Sequence, residues 1–290
     1  MIRLCAFADE AGNALSVQIA ALQQNHISLI ELRNLNGKNV AALTDAEADA
    51  AYEALSAAGI AVWSVGSPLG KVKLAEAAAH MKTVRRVCEI AVRLHAKRIR
   101  AFSFFEAEGQ GEAVRSALAE MVAIAAEYGL TICHENEKDI YGDTLSRVLE
   151  IASWNIKDLA FVFDPANYIQ CGVDTKEALA ALFDKTYYFH IKDVDAKTGQ
   201  LVPAGYGNGN IDEMVRSIKA AARDAVLTLE PHLKVFDGYT AIDSTEMQTK
   251  FTYATNEESF AAAAAAMKAI LVAAGYKEET VKGEYVWQAV

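Results

Sequence analysis

Gly129-Leu-Thr-Ile-Cys-His-Glu135, Leu159-Ala-Phe-Val-Phe-Asp164, Thr186-Tyr-Tyr-Phe-His190 and Ala225-Val-Leu-Thr-Leu-Glu230 are four apolar runs, each ending on a side chain able to bind a metal ion. Each run is short, rich in β-branched or aromatic residues, and preceded by a segment with helical spacing, the pattern of a buried parallel strand that follows a helix. Four successive strands would deliver Glu, Asp, His and Glu to their carboxyl ends. Parallel α/β folds build active sites at that edge, and three carboxylates with one imidazole suit a divalent cation such as Mn²⁺, Mg²⁺, Co²⁺ or Zn²⁺.

The same rhythm extends towards the amino terminus. Residues 2–8, 27–32, 60–65 and 98–103 read as four earlier strands, and helices are expected through about Asn25, from Thr44 to near Gly59, from Leu74 to Leu94 and from Glu112 to Glu127. Further helices are expected near 143–152, 174–183 and 211–223, with a last one from about Asn256. Eight strands alternating with eight helices at about 30-residue spacing predict an α/β chain closed into a (β/α)8 TIM barrel. The rival is an open doubly wound sheet, but no GxGxxG follows the first strand. The expected organisation is one domain, residues 1–275, with a tail at 276–290 packed on the barrel. Between Glu230 and Asn256 lies a long connection carrying Phe236, Tyr239, Phe251 and Tyr253, readable as a lid or as a surface or oligomer contact.

Composition narrows the partners. The chain has 290 residues, 52% hydrophobic and 23% charged, enough for a substantial core. A formal charge of -10 without a basic cluster disfavours nucleic acid and anionic membranes, so a small molecule is the expected partner, with a homo-oligomer left open. Cys5, Cys88, Cys133 and Cys171 are widely spaced with no CxxC pair, which fits reduced thiols in a cytoplasmic protein; no signal-peptide pattern or membrane-length apolar run is present. Cys133, two residues before Glu135, is expected in the barrel interior one layer lower.

Taken alone, any one of the four strand-end residues reads more readily as a helix cap, half an ion pair or a satisfied interior histidine. Their joint placement at one edge is what points to a metal. A cation can hold two adjacent sugar oxygens and stabilise the charge formed when a proton beside a carbonyl is removed. Glu135 and Glu230, on strands five and eight, would flank such a substrate, one taking the proton and the other returning it.

His134-Glu135-Asn136, Asp164-Pro-Ala-Asn167, Phe189-His190-Ile-Lys-Asp193 and Leu229-Glu230-Pro-His232 together resemble the xylose isomerase-like barrels, a family that includes sugar-phosphate isomerases and epimerases, ketose 3-epimerases, inosose dehydratase and endonuclease IV. The resemblance spans nearly the whole barrel. It implies one divalent metal on Glu135, Asp164, His190 and Glu230, with the two glutamates as the acid/base pair of an isomerase or epimerase working through an enediolate. The chain departs from the ketose 3-epimerases at Asn167 and Ala196, where those enzymes carry His and Arg. It also lacks the additional ligands of endonuclease IV: His26, His80 and His95 fall on predicted helices.

Strand alternation puts Lys192 on the face of His190 and His232 on the face of Glu230, so both are expected to face the pocket. Lys192 would hold an enediolate, carboxylate or phosphate, or form an ion pair with Asp193 or Glu230. His232 would orient Glu230. Arg33 shares a face with Glu31, as a bridge or as a pair of substrate contacts, and Lys71 either reaches the mouth or is a solvated loop lysine. With Asn167 these make the expected substrate-binding set. Gly205-Tyr-Gly-Asn-Gly209 lies where barrels often bind phosphate through backbone N–H groups, although three loop glycines more often give flexibility alone. The function expected is a metal-dependent isomerase or epimerase of a sugar, sugar acid or sugar phosphate; a metal-dependent dehydratase and a non-catalytic sugar- or metal-binding barrel are the alternatives.

Overall fold

Runs such as Ile-Arg-Leu-Cys-Ala and Leu-Ala-Phe-Val-Phe pack well on a pleated surface, whereas the alanine- and leucine-rich segments between them favour helix. The computed structural model describes residues 1–236, 239 and 247–290. In it the runs become strands β1 (Ile2–Ala6), β2 (Leu29–Leu32), β3 (Ala61–Gly66), β4 (Arg98–Ala101), β5 (Thr131–Glu135), β6 (Leu159–Phe163), β7 (Thr186–Ile191) and β8 (Ala225–Leu229). Each pairs in parallel with its sequence neighbour, and β8 also pairs with β1, Ile2 opposite Ala225 through Ala6 opposite Leu229. The closure excludes the open sheet.

The helices are α1 (Leu15–Gln24), α2 (Asp45–Ala57), α3 (Ala77–Arg93), α4 (Gly111–Glu127), α5 (Leu145–Ser153), α6 (Pro165–Gln170), α7 (Thr175–Leu182), α8 (Ile211–Ala220) and α9 (Asn256–Ala273). Their boundaries follow local chemistry. Thr44 caps α2 in a reciprocal box, Glu47 N donating to Thr44 Oγ1 (3.2 Å) and Thr44 N to Glu47 Oε2 (2.8 Å). Gly129, at φ +69°, ends the α4 turn and starts the chain into β5. Sequence reading missed α6, which is one short turn beyond Asp164 and has proline at its start. His26 and His95 stand just past α1 and α3 in left-handed turns rather than on helices; His80 is within α3.

The main core lies between barrel and helices. Inside the barrel, Cys5, Leu29, Cys133, Val162, Tyr188 and Val226 form a separate buried layer, with Cys133 where expected. Above it, at the carboxyl ends, the inward positions turn polar. All four cysteines are unpaired.

The tail is a β-hairpin, β9 (Tyr276–Val281) and β10 (Glu284–Ala289), whose second strand meets β1 antiparallel at Ile2 and Trp287. Val286 and Trp287 are buried. Of the long connection expected between Glu230 and α9, residues 237–238 and 240–246 lie outside the described residues. Phe236 and Tyr239 pack on the His232 ring at centroid distances of 5.6 and 5.5 Å. No helix among the described residues is long and apolar enough to cross a membrane.

Candidate metal and active site

Glu135 is the last residue of β5, Asp164 and Glu230 directly follow β6 and β8, and His190 lies near the end of β7. Parallel register therefore brings all four to one level, buried, with one donor atom from each within 4.8 Å of the others. His190 Nδ1 is 2.9 Å from Glu135 Oε1 and 3.1 Å from Glu230 Oε2. Asp164 also caps α6, its Oδ1 accepting from Asn167 N at 2.9 Å, so the capping and ligand readings of this residue are compatible. Its other oxygen, Oδ2, and Glu230 Oε2 are buried and accept no hydrogen bond of good geometry. Three convergent carboxylates, one imidazole and two buried carboxylate oxygens without a hydrogen bond fit a hard or borderline divalent cation.

The surrounding charges set the protonation of the cluster. Burial pushes the Asp164 carboxyl up to about 7, against the pull of Lys192. For Glu230 burial acts in the same direction, but Lys192 and His190 outweigh it and hold the carboxyl well below its ordinary range. His190 is shifted the opposite way from what burial alone would do: Glu135 and Glu31 raise it. Lys192 Nζ lies 3.1 Å from Asp164 Oδ2 and 3.9 Å from Glu230 Oε2, and these carboxylates keep it charged despite burial. Asp193, the other partner expected for Lys192, is occupied elsewhere.

The cluster is braced by further buried groups. Arg33 does not pair with Glu31. It forks onto Asp9 (Nε to Oδ2 2.9 Å, Nη2 to Oδ1 3.0 Å) and gives Nη1 to Glu230 Oε1 at 2.9 Å. Glu31 instead accepts from Tyr188 Oη (2.8 Å) and lies 3.3 Å from His190 Nε2. Arg100 Nε is 3.3 Å from Glu135 Oε2. Asn136 ties β5 to β6 by exchanging hydrogen bonds with the backbone of Asp164, both 2.9 Å. His232 Nε2 is 3.3 Å from Glu10 Oε1 and 3.6 Å from Glu230 Oε1, while burial raises the Glu10 carboxyl to about 8.

A cavity opens onto the cluster, with Glu135 and Glu230 in its wall and Asp164 and His190 buried beneath. Of the five expected substrate contacts, Lys71, Asn167, Lys192 and His232 line it. Arg33 does not: its side chain is 2% exposed behind Glu230, because three carboxylates draw the guanidinium inward. Lys71 is mostly buried, 2.9 Å from Glu137 Oε2, rather than solvated. Sequence reading did not single out Arg100, Glu137, Gln170 and Gln248, which also line the cavity. Arg100 could have been found from strand alternation, which puts it two residues beyond Arg98 at the carboxyl end of β4. His134, next to Glu135, is buried away from the cluster and held neutral, its pKa lowered to about 3 by burial.

The glycine loop serves the protein itself. Gly205 N, Gly207 N and Gly209 N donate to the Asp193 carboxylate at 2.9, 3.0 and 2.8 Å, with Val194 N adding a fourth bond at 2.9 Å. The N–H groups that could cradle a phosphate are thus filled by an internal carboxylate. A Cβ at Gly207 would run into Asp193 and the Val194 carbonyl, which explains the glycine there.

A family model described as xylose isomerase-like TIM barrel matches residues 19–269. Among solved structures, the chain is similar to an L-ribulose 3-epimerase at 16% identity and a TM-score of 0.73, covering 94% of this chain and 96% of that one. A D-psicose 3-epimerase determined in the presence of D-fructose has 15% identity and a TM-score of 0.70, with 92% and 97% covered. The probable 3-DHS dehydratase AsbF of Bacillus anthracis, involved in petrobactin synthesis, has 15% identity and a TM-score of 0.67, with 93% and 98% covered. At these identities the likeness is one of fold. No curated protein matches the sequence.

Proposed function

The chain belongs to the xylose isomerase-like TIM-barrel family, and we propose that it is an isomerase or epimerase of a sugar, sugar acid or sugar phosphate that uses one divalent metal ion. The observation that carries this reading is the placement of Glu135 and Glu230: from non-adjacent strands, both carboxylates reach the same imidazole nitrogen, at 2.9 and 3.1 Å. Glu135, Asp164, His190 and Glu230 would hold the ion, which supplies an electrophile for the negative charge that develops beside a carbonyl. Mn²⁺, Mg²⁺, Co²⁺ and Zn²⁺ all suit the donor set.

The protein's own groups do the rest. One of Glu135 and Glu230 takes the carbon-bound proton and the other returns it, the direction of reaction setting which acts first. Arg100 and Arg33 hold the two carboxylates in place through contacts of 3.3 and 2.9 Å. Lys192, at the cavity wall, offers positive charge to a developing oxyanion, and Asn167, Lys71 and His232 offer polar contacts to hydroxyl or anionic groups. Residues 1–275 form the catalytic barrel in this reading and 276–290 an appended hairpin; four unpaired cysteines accord with a cytoplasmic location.

Dehydration of the same class of substrate is the second reading, favoured by one observation: the His232 imidazole lines the cavity, where it could protonate a leaving hydroxyl. Steady-state turnover of ketoses, aldoses, their phosphates and inososes by Mn²⁺-loaded protein tests the proposal. Glu135→Gln and Glu230→Gln should each lower kcat by about 10²- to 10⁴-fold. Full turnover in either variant would remove that residue from proton transfer.

A further inference from the structure

The chain carries eleven arginines in a protein of net charge -10. Nine of them lie within 4.0 Å of a carboxylate, including exposed pairs such as Arg85 with Glu127, Arg93 with Asp49 and Arg216 with Asp212. The two without such a partner among the described residues, Arg98 and Arg223, line the same cleft. It has a volume of about 360 Å³ and is lined by Arg3, Trp63, Arg98, Tyr187 and Arg223, with Met1 and one carboxylate, Asp224, at its edge. Arg3 and Trp63 are on β1 and β3, Arg98 begins β4, and Tyr187 follows the first residue of β7. The cleft is therefore at the amino-terminal end of the barrel strands, the face opposite the candidate metal site.

The cleft is rich in donors and poor in acceptors. The Arg98 guanidinium stacks 3.6 Å from the centroid of the Trp63 ring, which Arg3 also approaches, at 5.2 Å. Arg98 gives its terminal nitrogens to neutral groups, the Trp63 carbonyl at 3.2 Å and Tyr187 Oη at 3.1 Å, and its Nε and the Trp63 Nε1 have no acceptor. Among the described residues Arg223 bonds the carbonyls of Phe183 and Thr186 and no other group. Asp184 influences Arg223 from beyond contact distance. Asp224, at the edge of the cleft, gives one oxygen to the Met1 ammonium at 2.9 Å and is otherwise exposed, and Glu284 stands 3.8 Å from Arg3. Arg98 over Trp63 and Arg223 over Phe183, 5.1 Å from that ring's centroid, have no carboxylate within 4.0 Å among the described residues, and guanidinium groups so placed are arranged to receive a planar or tetrahedral oxyanion.

We propose that this cleft is a binding site for a small phosphate-bearing anion, separate from the carbohydrate cavity on the opposite face. Phosphate is favoured over a monocarboxylate because the guanidinium groups approach from β1, β4 and the segment before β8, and a tetrahedral dianion can accept from several directions at once. The volume leaves room for the phosphate and a small organic remainder.

The test is the phosphorus NMR line width of inorganic phosphate titrated with the full chain at low ionic strength, in buffer holding a chelator so that no metal contributes. Saturable broadening is expected in the wild type, weakened about tenfold in Arg98→Gln and in Arg223→Gln, only partly restored in Arg98→Lys, which keeps the charge but loses the stacked fork, and unchanged in Lys192→Met. Circular dichroism checks that each variant is folded; if Arg98→Gln is not, Arg223→Gln decides. The proposal is overturned by absence of saturable broadening in the wild type, by undiminished binding in the folded arginine variants, or by a loss confined to Lys192→Met, which would place the phosphate in the carbohydrate cavity. Citrate displacing phosphate at lower concentration than phosphate itself requires would overturn the phosphate assignment in favour of polycarboxylates.

Discussion

Glu31 Oε2 lies 3.3 Å from His190 Nε2, while Nδ1 of the same imidazole faces Glu135 and Glu230. A carboxylate behind a ligating histidine fixes the tautomer and raises ligand basicity. Glu31→Gln should weaken divalent-metal binding by about 10- to 100-fold with the fold intact, as measured by competition against a fluorescent chelator. Unchanged affinity would mean that Glu31 serves only Tyr188.

Bound metal should stabilise the protein by mass action. At a free Mn²⁺ concentration of about 100 Kd the gain is about 2.7 kcal/mol, several degrees in Tm. Because the carboxylates and imidazole must be unprotonated to bind, this shift should shrink as pH falls. Differential scanning calorimetry with and without chelator reads both effects, and Asp164→Asn should show neither.

Lys192 is the cation nearest Asp164, at 3.1 Å, and it also approaches Glu230. Removing one partner of a buried charge pair costs about 3 to 5 kcal/mol. Lys192→Met is therefore expected to lose about that much in urea unfolding under chelating conditions, and to recover part of it when Mn²⁺ supplies positive charge to the same carboxylates. An equal loss with and without metal would separate Lys192 energetically from the ligand set.

Gly70 controls the placement of Lys71. Its φ is +83°, and a Cβ there would overlap the Phe102 carbonyl, in a loop that is hydrogen-bonded to the exit of β4 through Phe102 N to Leu69 O (2.8 Å) and Phe104 N to Gly70 O (3.0 Å). Gly70→Ala should destabilise the chain by at least about 1 kcal/mol and raise KM more than it lowers kcat, since the loop carries a cavity contact and not the acid/base pair. An unchanged Tm would show that the loop yields freely.

Much of this architecture was legible because it is written in local patterns. Eight apolar runs at regular spacing, and four ligand types closing the last four runs, predicted the barrel and the cluster formed by Glu135, Asp164, His190 and Glu230. What escaped reading depends on residues far apart in the chain. Arg33 finds Asp9 across 24 positions and Glu230 across 197, so its neighbour Glu31 was a misleading partner. The Gly205–Gly209 loop looked like a ligand cradle, and only the tertiary structure brings Asp193 into it. The tail hairpin was a different case: Lys282-Gly283 between residues 276–281 and 284–289 is a hairpin turn signal that could have been read.

In the proposed function Glu135 and Glu230 move a carbon-bound proton beside a carbonyl, and the cluster to which they belong would hold a divalent ion to supply an electrophile. The most direct test of this transfer is proton NMR of the carbohydrate panel incubated in D₂O with Mn²⁺-reconstituted protein, recorded after protein and metal are removed, with metal-free protein and the two Glu→Gln variants alongside. Metal-dependent entry of deuterium next to a carbonyl, lost in both variants, is the predicted result, and the product spectrum then separates isomer, epimer and dehydrated compound. Turnover of a panel compound without deuterium entry, or deuterium entry that survives in both variants, would contradict the account.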